Sequence, residues 1–341
     1  VSEADRAETI AVIGAGSWGT ALAIQFARAG RPTLLWGRAE DDPERLERDR
    51  VNARYLPGAH FPDNLHAAGD LADVLAAAPI VVVAVPSHAL RKVLTSIKPL
   101  LQPHARLAWA TKGFELETGK LPHQVAREVL GSGRAMAVLS GPTFAREVGM
   151  GLPTAMTVAA TDPDYARQLA ECLSGESFRA YMSSDIVGVE VGGAVKNVLA
   201  IGAGICDGLG FGANTRVALI TRGLVEMTRL GIALGAQPPT FMGLAGMGDL
   251  VLTCTDDQSR NRRMGLALAA GKTVKEAEAE IQQVVEGVLA AEAVHRVARQ
   301  QGIEMPICEQ IYRILYEGAE PREAVATLMK RELKPEFGPG S

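Results

Sequence analysis

The sequence predicts an α/β chain, a Rossmann-like doubly wound parallel sheet followed by a mostly α-helical domain. Three observations predict it. A glycine-rich turn directly follows the first apolar run. Short β-rich runs then alternate with helical stretches, the pattern of a sheet covered by helices. Past about Tyr181 strand candidates become few and long helical patterns take over.

Thr9–Ile13 reads as the first strand and Pro32–Trp36 as the second. Ile80–Val85, with its run of valines, has the composition of a central parallel strand buried on both faces. Arg106–Ala110, Ala135–Leu139 and Thr154–Ala160 continue the series. Between them Gly19–Ala29 and Leu121–Leu130 show helical periodicity and stop at Gly30 and Gly131, which suit helix C-termini. The change of texture near Ser183–Val191 divides the chain into residues 1–189 and 190–341. In the second part Gly192–Cys206, Thr215–Leu234, Arg260–Ala270 and Val274–Arg299 read as helices.

Composition narrows the function. A chain of 341 residues is too long for one small core. With 47% hydrophobic and 22% charged residues it has the make-up of a globular protein. A net charge of −4 leaves no electrostatic footprint for nucleic acid or an acidic membrane surface. Any anionic ligand must be gripped by a local group of cations. Cys172, Cys206, Cys254 and Cys308 are widely spaced with no C-x-x-C pair, which points to reduced thiols in a cytoplasmic setting. No His, Cys and carboxylate grouping has metal-ligand spacing, so no metal is expected. Val1–Glu8 is polar, without an apolar signal core, and no run of about 18 apolar residues predicts membrane insertion. The Gly/Pro-rich tail from Pro335 reads as loose.

Five motifs carry chemistry. Gly14-Ala15-Gly16-Ser17-Trp18-Gly19 is a G-x-G-x-x-G between the first strand and a helix, the Rossmann-like dinucleotide turn. Gly14 permits the tight turn, Gly16 lets a pyrophosphate approach the backbone, and Gly19 lets helix and strand pack closely. The helix start offers free N–H groups to the phosphates. An NAD-binding unit usually places an acid about 20 residues on. Here Trp36-Gly37-Arg38 occupies that strand end, with Glu40 nearby. A guanidinium there can fork onto a 2′-phosphate, which favours NADPH, with NADH as a second cofactor. The alternative is that Arg38 is a plain surface cation.

Lys112 follows one predicted strand and Ser140-Gly141-Pro142-Thr143 the next, at the carboxyl ends where doubly wound sheets bind ligands. Gly192-Gly193-Ala194-Val195-Lys196-Asn197 opens an apolar helix. A lysine held there suits proton transfer to the alkoxide left by hydride addition to a carbonyl. Otherwise it snorkels from a helix edge. Asp249, after the Gly246-Met247-Gly248 bend, can orient that lysine or a substrate hydroxyl. Ser259 and Arg260, Arg262 and Arg263 open a helix, a place to grip a phosphate. Without a ligand Ser259 would be only a cap and the arginines solvated charges. Val284-Val285-Glu286-Gly287 is, on spacing alone, part of an amphipathic helix.

On these residues three classes stay open: a dehydrogenase of a phosphorylated ketone, a β-hydroxyacid or sugar-acid dehydrogenase, and a non-catalytic NADPH-binding regulator. With the motifs in this order, joined by Val85-Pro86-Ser87-His88 and Gln258-Ser259-Arg260-Asn261-Arg262, the chain resembles the soluble NAD(P)-dependent sn-glycerol-3-phosphate dehydrogenases, most closely the bacterial branch. The resemblance spans about Thr9 to Glu317. It implies reversible hydride transfer from NADPH or NADH to dihydroxyacetone phosphate, giving sn-glycerol 3-phosphate for phospholipid synthesis, in a cytoplasmic homodimer. It implies that Lys196 is the general acid–base. Substrate contacts are implied at Lys112, Gly141, Thr143, Asp249, Ser259, Arg260 and Asn261. Cofactor contacts are implied at Ser17, Trp18, Arg38, Lys112, Ala145, Arg260, Val284 and Glu286.

Overall fold

A computed structural model describes residues 8–332, 335 and 336. The readings of the polar stretch before Glu8 and of most of the C-terminal tail concern residues outside the described ones. The chain folds as two compact units: residues up to Lys112 with Leu121–Val189, and Gly113–Lys120 with residues from Glu190 on.

The first unit alternates strand and helix as the sequence pattern predicts. In order it contains β1 (Ile10–Ile13), α1 (Ser17–Arg28), β2 (Thr33–Trp36), α2 (Pro43–Asp49), β3 (Leu65–Ala68), α3 (Leu71–Ala77), β4 (Ile80–Val83) and α4 (Ser87–Ile97). Then come β5 (Arg106–Trp109), α5 (Pro122–Leu130), β6 (Met136–Ser140), α6 (Ala145–Gly149), β7 (Thr154–Ala160), α7 (Pro163–Leu173) and β8 (Phe178–Ser183). The strands form one sheet in the order β3-β2-β1-β4-β5-β6-β7-β8. The first six are parallel in the 3-2-1-4-5-6 order of a doubly wound fold. β1 and β4 are buried along their whole length, as central parallel strands must be. Gly30 and Gly131 end α1 and α5 with positive φ, a conformation that favours glycine.

Two expectations change here. β7 runs antiparallel to β6, so the parallel series stops at the sixth strand. The chain between them carries only the five-residue α6, and an antiparallel return needs no long crossover. β3 and β8 are strands that the sequence pattern does not single out. β3 has the weak strand sequence Leu65-His66-Ala67-Ala68, and β8 lies at the sheet edge with much of its surface exposed.

The helices that follow are α8 (Ile186–Gly208), α9 (Gly212–Ala233), α10 (Asp249–Thr255), α11 (Arg260–Ala269), α12 (Val274–Ile281), α13 (Glu286–Gln301), α14 (Pro306–Tyr316) and α15 (Pro321–Met329). α8 is long and apolar enough to cross a membrane, but 94% of its apolar window is buried within the protein, the position of a core helix. It packs backbone to backbone on α11: a Cβ on Gly204 would lie 2.0 Å from the Arg262 carbonyl oxygen. The single helix expected over Val274–Arg299 is instead two. Gln282 turns left-handed at φ 56°, and the chain re-enters a helix only at Glu286.

Candidate functional site

In the first unit the turn after β1 has the shape that a dinucleotide needs. Gly14 has φ 117°, and a Cβ there would lie 2.6 Å from the Ala84 carbonyl oxygen. A Cβ on Gly19 would lie 1.9 Å from the Gly14 carbonyl oxygen, whereas one on Gly16 would meet nothing within 4 Å. Two glycines are therefore demanded by close packing, and the third borders open space. The first helical bond in α1 runs from Thr20 N–H to the Gly16 carbonyl, and no side chain caps the helix. The N–H groups of Ser17, Trp18 and Gly19 precede that bond and are the natural donors to a phosphate. The buried Trp18 Nε1 has no hydrogen-bond partner, an orphaned donor beside the same turn. These features fit a dinucleotide pyrophosphate.

Lys112 and Gly141 follow β5 and β6, which are parallel to β1, so they lie at the same carboxyl end of the sheet as Gly14. Lys112 Nζ donates to the Gly141 carbonyl at 3.4 Å, and Thr143 Oγ1 donates to that carbonyl at 3.2 Å. Ser140 Oγ is buried without a partner beside them. Ala145 is the first residue of α6.

Arg38 lies just past β2, with its side chain 63% exposed. It begins a short 3₁₀ turn over Ala39–Asp41. The sequence offers no carboxylate at the strand end, but the turn brings one back. Asp41 Oδ2 accepts from the Arg38 backbone N–H at 3.0 Å and from Arg38 Nε at 3.4 Å. That hydrogen bond, with the carboxylate's charge, raises the already high pKa of the guanidinium. Glu40 is the looser neighbour, 3.6 Å away and 71% exposed.

In the second unit, Lys196 is buried in α8 and does not snorkel. Its Nζ donates to Asp249 Oδ1 at 2.5 Å and to Thr253 Oγ1 at 3.0 Å. Asp249 opens α10, and Thr253 follows it one turn later, its hydroxyl donating to the Asp249 carbonyl at 2.6 Å. The motifs do not single out Thr253, although its i, i+4 spacing from Asp249 is readable in the sequence. Cys254 is close by, but burial pushes its thiol up to about 12, so it stays protonated and is no nucleophile.

One residue along α8, Asn197 Oδ1 accepts from Asn261 Nδ2 at 2.9 Å. Asn261 Oδ1 accepts the Gly287 N–H of α13 at 2.8 Å. Asn261 thus joins α8, α11 and α13, and both ends of its amide are engaged inside the protein. Ser259 caps α11, its hydroxyl accepting from Arg262 N–H at 3.2 Å, which leaves the N–H groups of Arg260 and Asn261 ahead of the first helical bond. Arg262 is structural: it is buried and paired with Asp207 at 2.7 Å and with Asp257. Arg263 is exposed. Arg260 is only partly buried and donates from Nη1 to the Val284 carbonyl at 2.9 Å. That contact falls in the break between α12 and α13, where Val284 is 48% exposed and Glu286 restarts the helix. Two candidates that spacing places inside a plain helix therefore lie in a shaped turn beside Arg260.

A doubly wound sheet with a glycine turn at the point where its strand order reverses defines a dinucleotide-dependent oxidoreductase, and the buried lysine–carboxylate pair is suited to proton transfer at a carbonyl. Residues 9–166 match the family model for the N-terminus of NAD-dependent glycerol-3-phosphate dehydrogenase, and residues 185–326 match the one for its C-terminus. The chain belongs to the NAD-dependent glycerol-3-phosphate dehydrogenase family. It is 58% identical over 328 residues to a glycerol-3-phosphate dehydrogenase [NAD(P)+] of Aeromonas hydrophila, covering 96% of this chain and 98% of that one. A relative of the same name in Escherichia coli is 57% identical over 332 residues, 97% and 98% of the two chains. The crystal structure of glycerol-3-phosphate dehydrogenase from Coxiella burnetii is similar at a TM-score of 0.91 and 47% identity, over 95% of this chain and 99% of that one.

Proposed function

We propose that this chain catalyses the reversible reduction of dihydroxyacetone phosphate to sn-glycerol 3-phosphate with NADPH or NADH, supplying glycerophospholipid synthesis. The observation that carries the reading is the framework around α8. A buried lysine is tethered to Asp249 and Thr253, and its sequence neighbour Asn197 is bonded to the helix that Arg260 opens. A proton donor and a phosphate anchor thus share one rigid scaffold.

When bound, the reduced nicotinamide supplies the hydride. The chain's own residues do the rest. Lys196 donates its proton to the oxygen that becomes the C2 hydroxyl, and takes it back in the reverse direction. Asp249 and Thr253 hold Nζ in place, so the ammonium is oriented before the substrate arrives. The uncapped N–H groups at the start of α11, with Ser259 and Arg260, take the substrate phosphate. By resemblance to the family, Lys112, Gly141 and Thr143 are further substrate contacts, and Asn261, its amide engaged by Asn197 and Gly287, serves chiefly by positioning. Ser17, Trp18 and the glycine turn take the pyrophosphate, Arg38 the 2′-phosphate, and Ala145, Val284 and Glu286 line the cofactor. The last three are assigned by resemblance to the family, as is a homodimer working in the cytoplasm.

The test is a steady-state assay of NADPH oxidation with three substrates: dihydroxyacetone phosphate, unphosphorylated dihydroxyacetone, and a panel of small keto acids. We expect turnover on the phosphorylated ketone at a kcat/KM far above the rest. Preference for a keto acid would instead favour a β-hydroxyacid dehydrogenase, and tight NADPH binding without turnover would favour a regulator.

A further inference from the structure

We infer that Asp41 is a specificity-determining residue for the cofactor, acting through Arg38 to keep the site open to both NADPH and NADH. The inference rests on the reading of Arg38 as the 2′-phosphate anchor.

The geometry separates Asp41 from the other acids around it. Its side chain is only 7% exposed, whereas Glu40 is 71% exposed. One carboxylate oxygen takes both the backbone N–H of Arg38 and its Nε, so the anchor and its counter-ion are locked into a single short turn. The turn also lies close to the dinucleotide loop. A Cβ on Gly37 would be 3.1 Å from Ala15 Cβ and 3.2 Å from Asp41 Cβ, so Asp41 packs one residue's width from the glycine turn. Arg54, a second cation here, is tied to the Glu40 carbonyl at 3.0 Å and lies over Tyr55.

Two consequences follow from placing a poorly solvated carboxylate beside the anchor. An NADH molecule, which lacks the 2′-phosphate, leaves Arg38 paired with Asp41 and open to water, so its binding does not depend on the guanidinium. An NADPH molecule must share the guanidinium with Asp41 and bring its phosphate towards a fixed negative charge, which reduces its advantage. The Nε edge faces Asp41, and the two Nη groups form the edge left for a phosphate. Sequence position alone hides this arrangement, because the acid lies beyond the strand end and is brought back by the turn.

The test measures kcat/KM for NADPH and NADH with dihydroxyacetone phosphate in four proteins: wild type, Asp41→Asn, Glu40→Gln and Arg38→Ala. Asparagine keeps an oxygen for the Arg38 N–H and removes only the charge, and NADH turnover reports whether the turn stays folded. The NADPH-to-NADH ratio should rise about 3- to 10-fold in Asp41→Asn, mainly through a lower NADPH KM, with NADH kcat unchanged. Glu40→Gln, neutralising an exposed charge, should move the ratio less than about twofold. Arg38→Ala should lower the ratio by about tenfold or more. If Arg38→Ala lowers the ratio but Asp41→Asn leaves it unchanged or lowers it, Asp41 does not temper the anchor and the inference is wrong by itself. An unchanged ratio in Arg38→Ala overturns the anchor and the inference together.

Discussion

Lys196 and Asp249 are both buried, and each is costly there without the other. Their pairing explains why a lysine can sit in one of the most apolar helices of the chain. It also makes substitution act on two properties at once. Lys196→Met removes the proposed proton donor, so kcat should fall by roughly 10²–10⁴ while NADPH affinity stays near its normal value. The same change leaves Asp249 without its cation, which costs about 3–5 kcal/mol of stability when a buried pair is broken. The double variant Lys196→Met/Asp249→Leu should recover much of that stability and none of the activity. Urea denaturation and single-turnover rates on both proteins separate the two effects. A Lys196→Met enzyme with more than a tenth of normal kcat would remove the lysine from the mechanism. Lys196 and Asp249 are legible in the sequence because a charged residue in an apolar run and an acid after a glycine bend are both local signals. Asp41 is not legible as the partner of Arg38, because its role depends on the backbone of a turn and not on strand-end spacing.

At the scale of elements, the break between α12 and α13 shows how tertiary contacts override periodicity. The pattern from Val274 to Arg299 is helical throughout, yet Arg260 bonds the Val284 carbonyl and Asn261 caps Gly287, and the chain turns between them. No feature of that stretch alone announces the turn, just as the short β3 and the edge strand β8 lack the β-branched runs that mark β4. The antiparallel β7 is likewise hidden, since a strand's direction depends on its connection. Arg260→Ala tests the element as well as the residue. Removing a charge-assisted contact worth about 1.5–3 kcal/mol should lower kcat/KM for dihydroxyacetone phosphate about 10- to 150-fold. Unphosphorylated dihydroxyacetone should lose much less, and equal losses would detach Arg260 from the phosphate. A second joint lies between α9 and α14. Glu226, buried on α9, accepts the Ile307 and Cys308 N–H groups at 2.6 and 3.1 Å and so caps α14 from outside. Burial pushes its carboxyl up to about 7 from an ordinary 4.5, with those N–H bonds holding it partly down. The folded chain therefore binds this proton more tightly than the unfolded one. Its contribution to stability is fully present below about pH 4.5 and is lost as pH rises through about 7, a difference of about 3 kcal/mol. Glu226→Gln cannot titrate, so its denaturation midpoint should change less than the wild-type midpoint between about pH 5 and 8. Parallel pH profiles for the two proteins would show that Glu226 does not titrate in this range.

On the scale of the whole molecule, the proposed roles fall unevenly on the two units. The first carries a sheet and a glycine turn that any dinucleotide enzyme of this class could use, and nothing in that turn specifies what is reduced. The proposed proton donor and phosphate anchor lie in the second unit, where α8 carries Lys196 and Asn197 and Arg260 opens α11, while Lys112, Gly141 and Thr143 of the first are proposed as further substrate contacts. The family is legible from sequence because short motifs from both units recur in one order, whereas either unit's motifs alone leave other dehydrogenases open. The most direct test of the central claim is the product itself. Dihydroxyacetone phosphate and limiting NADPH are incubated with the purified chain, and the glycerol phosphate formed is quantified by an assay specific for the sn-3 enantiomer. We expect one sn-glycerol 3-phosphate for each NADPH consumed. Consumption of NADPH without that product, or formation of both enantiomers in equal amounts, would contradict the account.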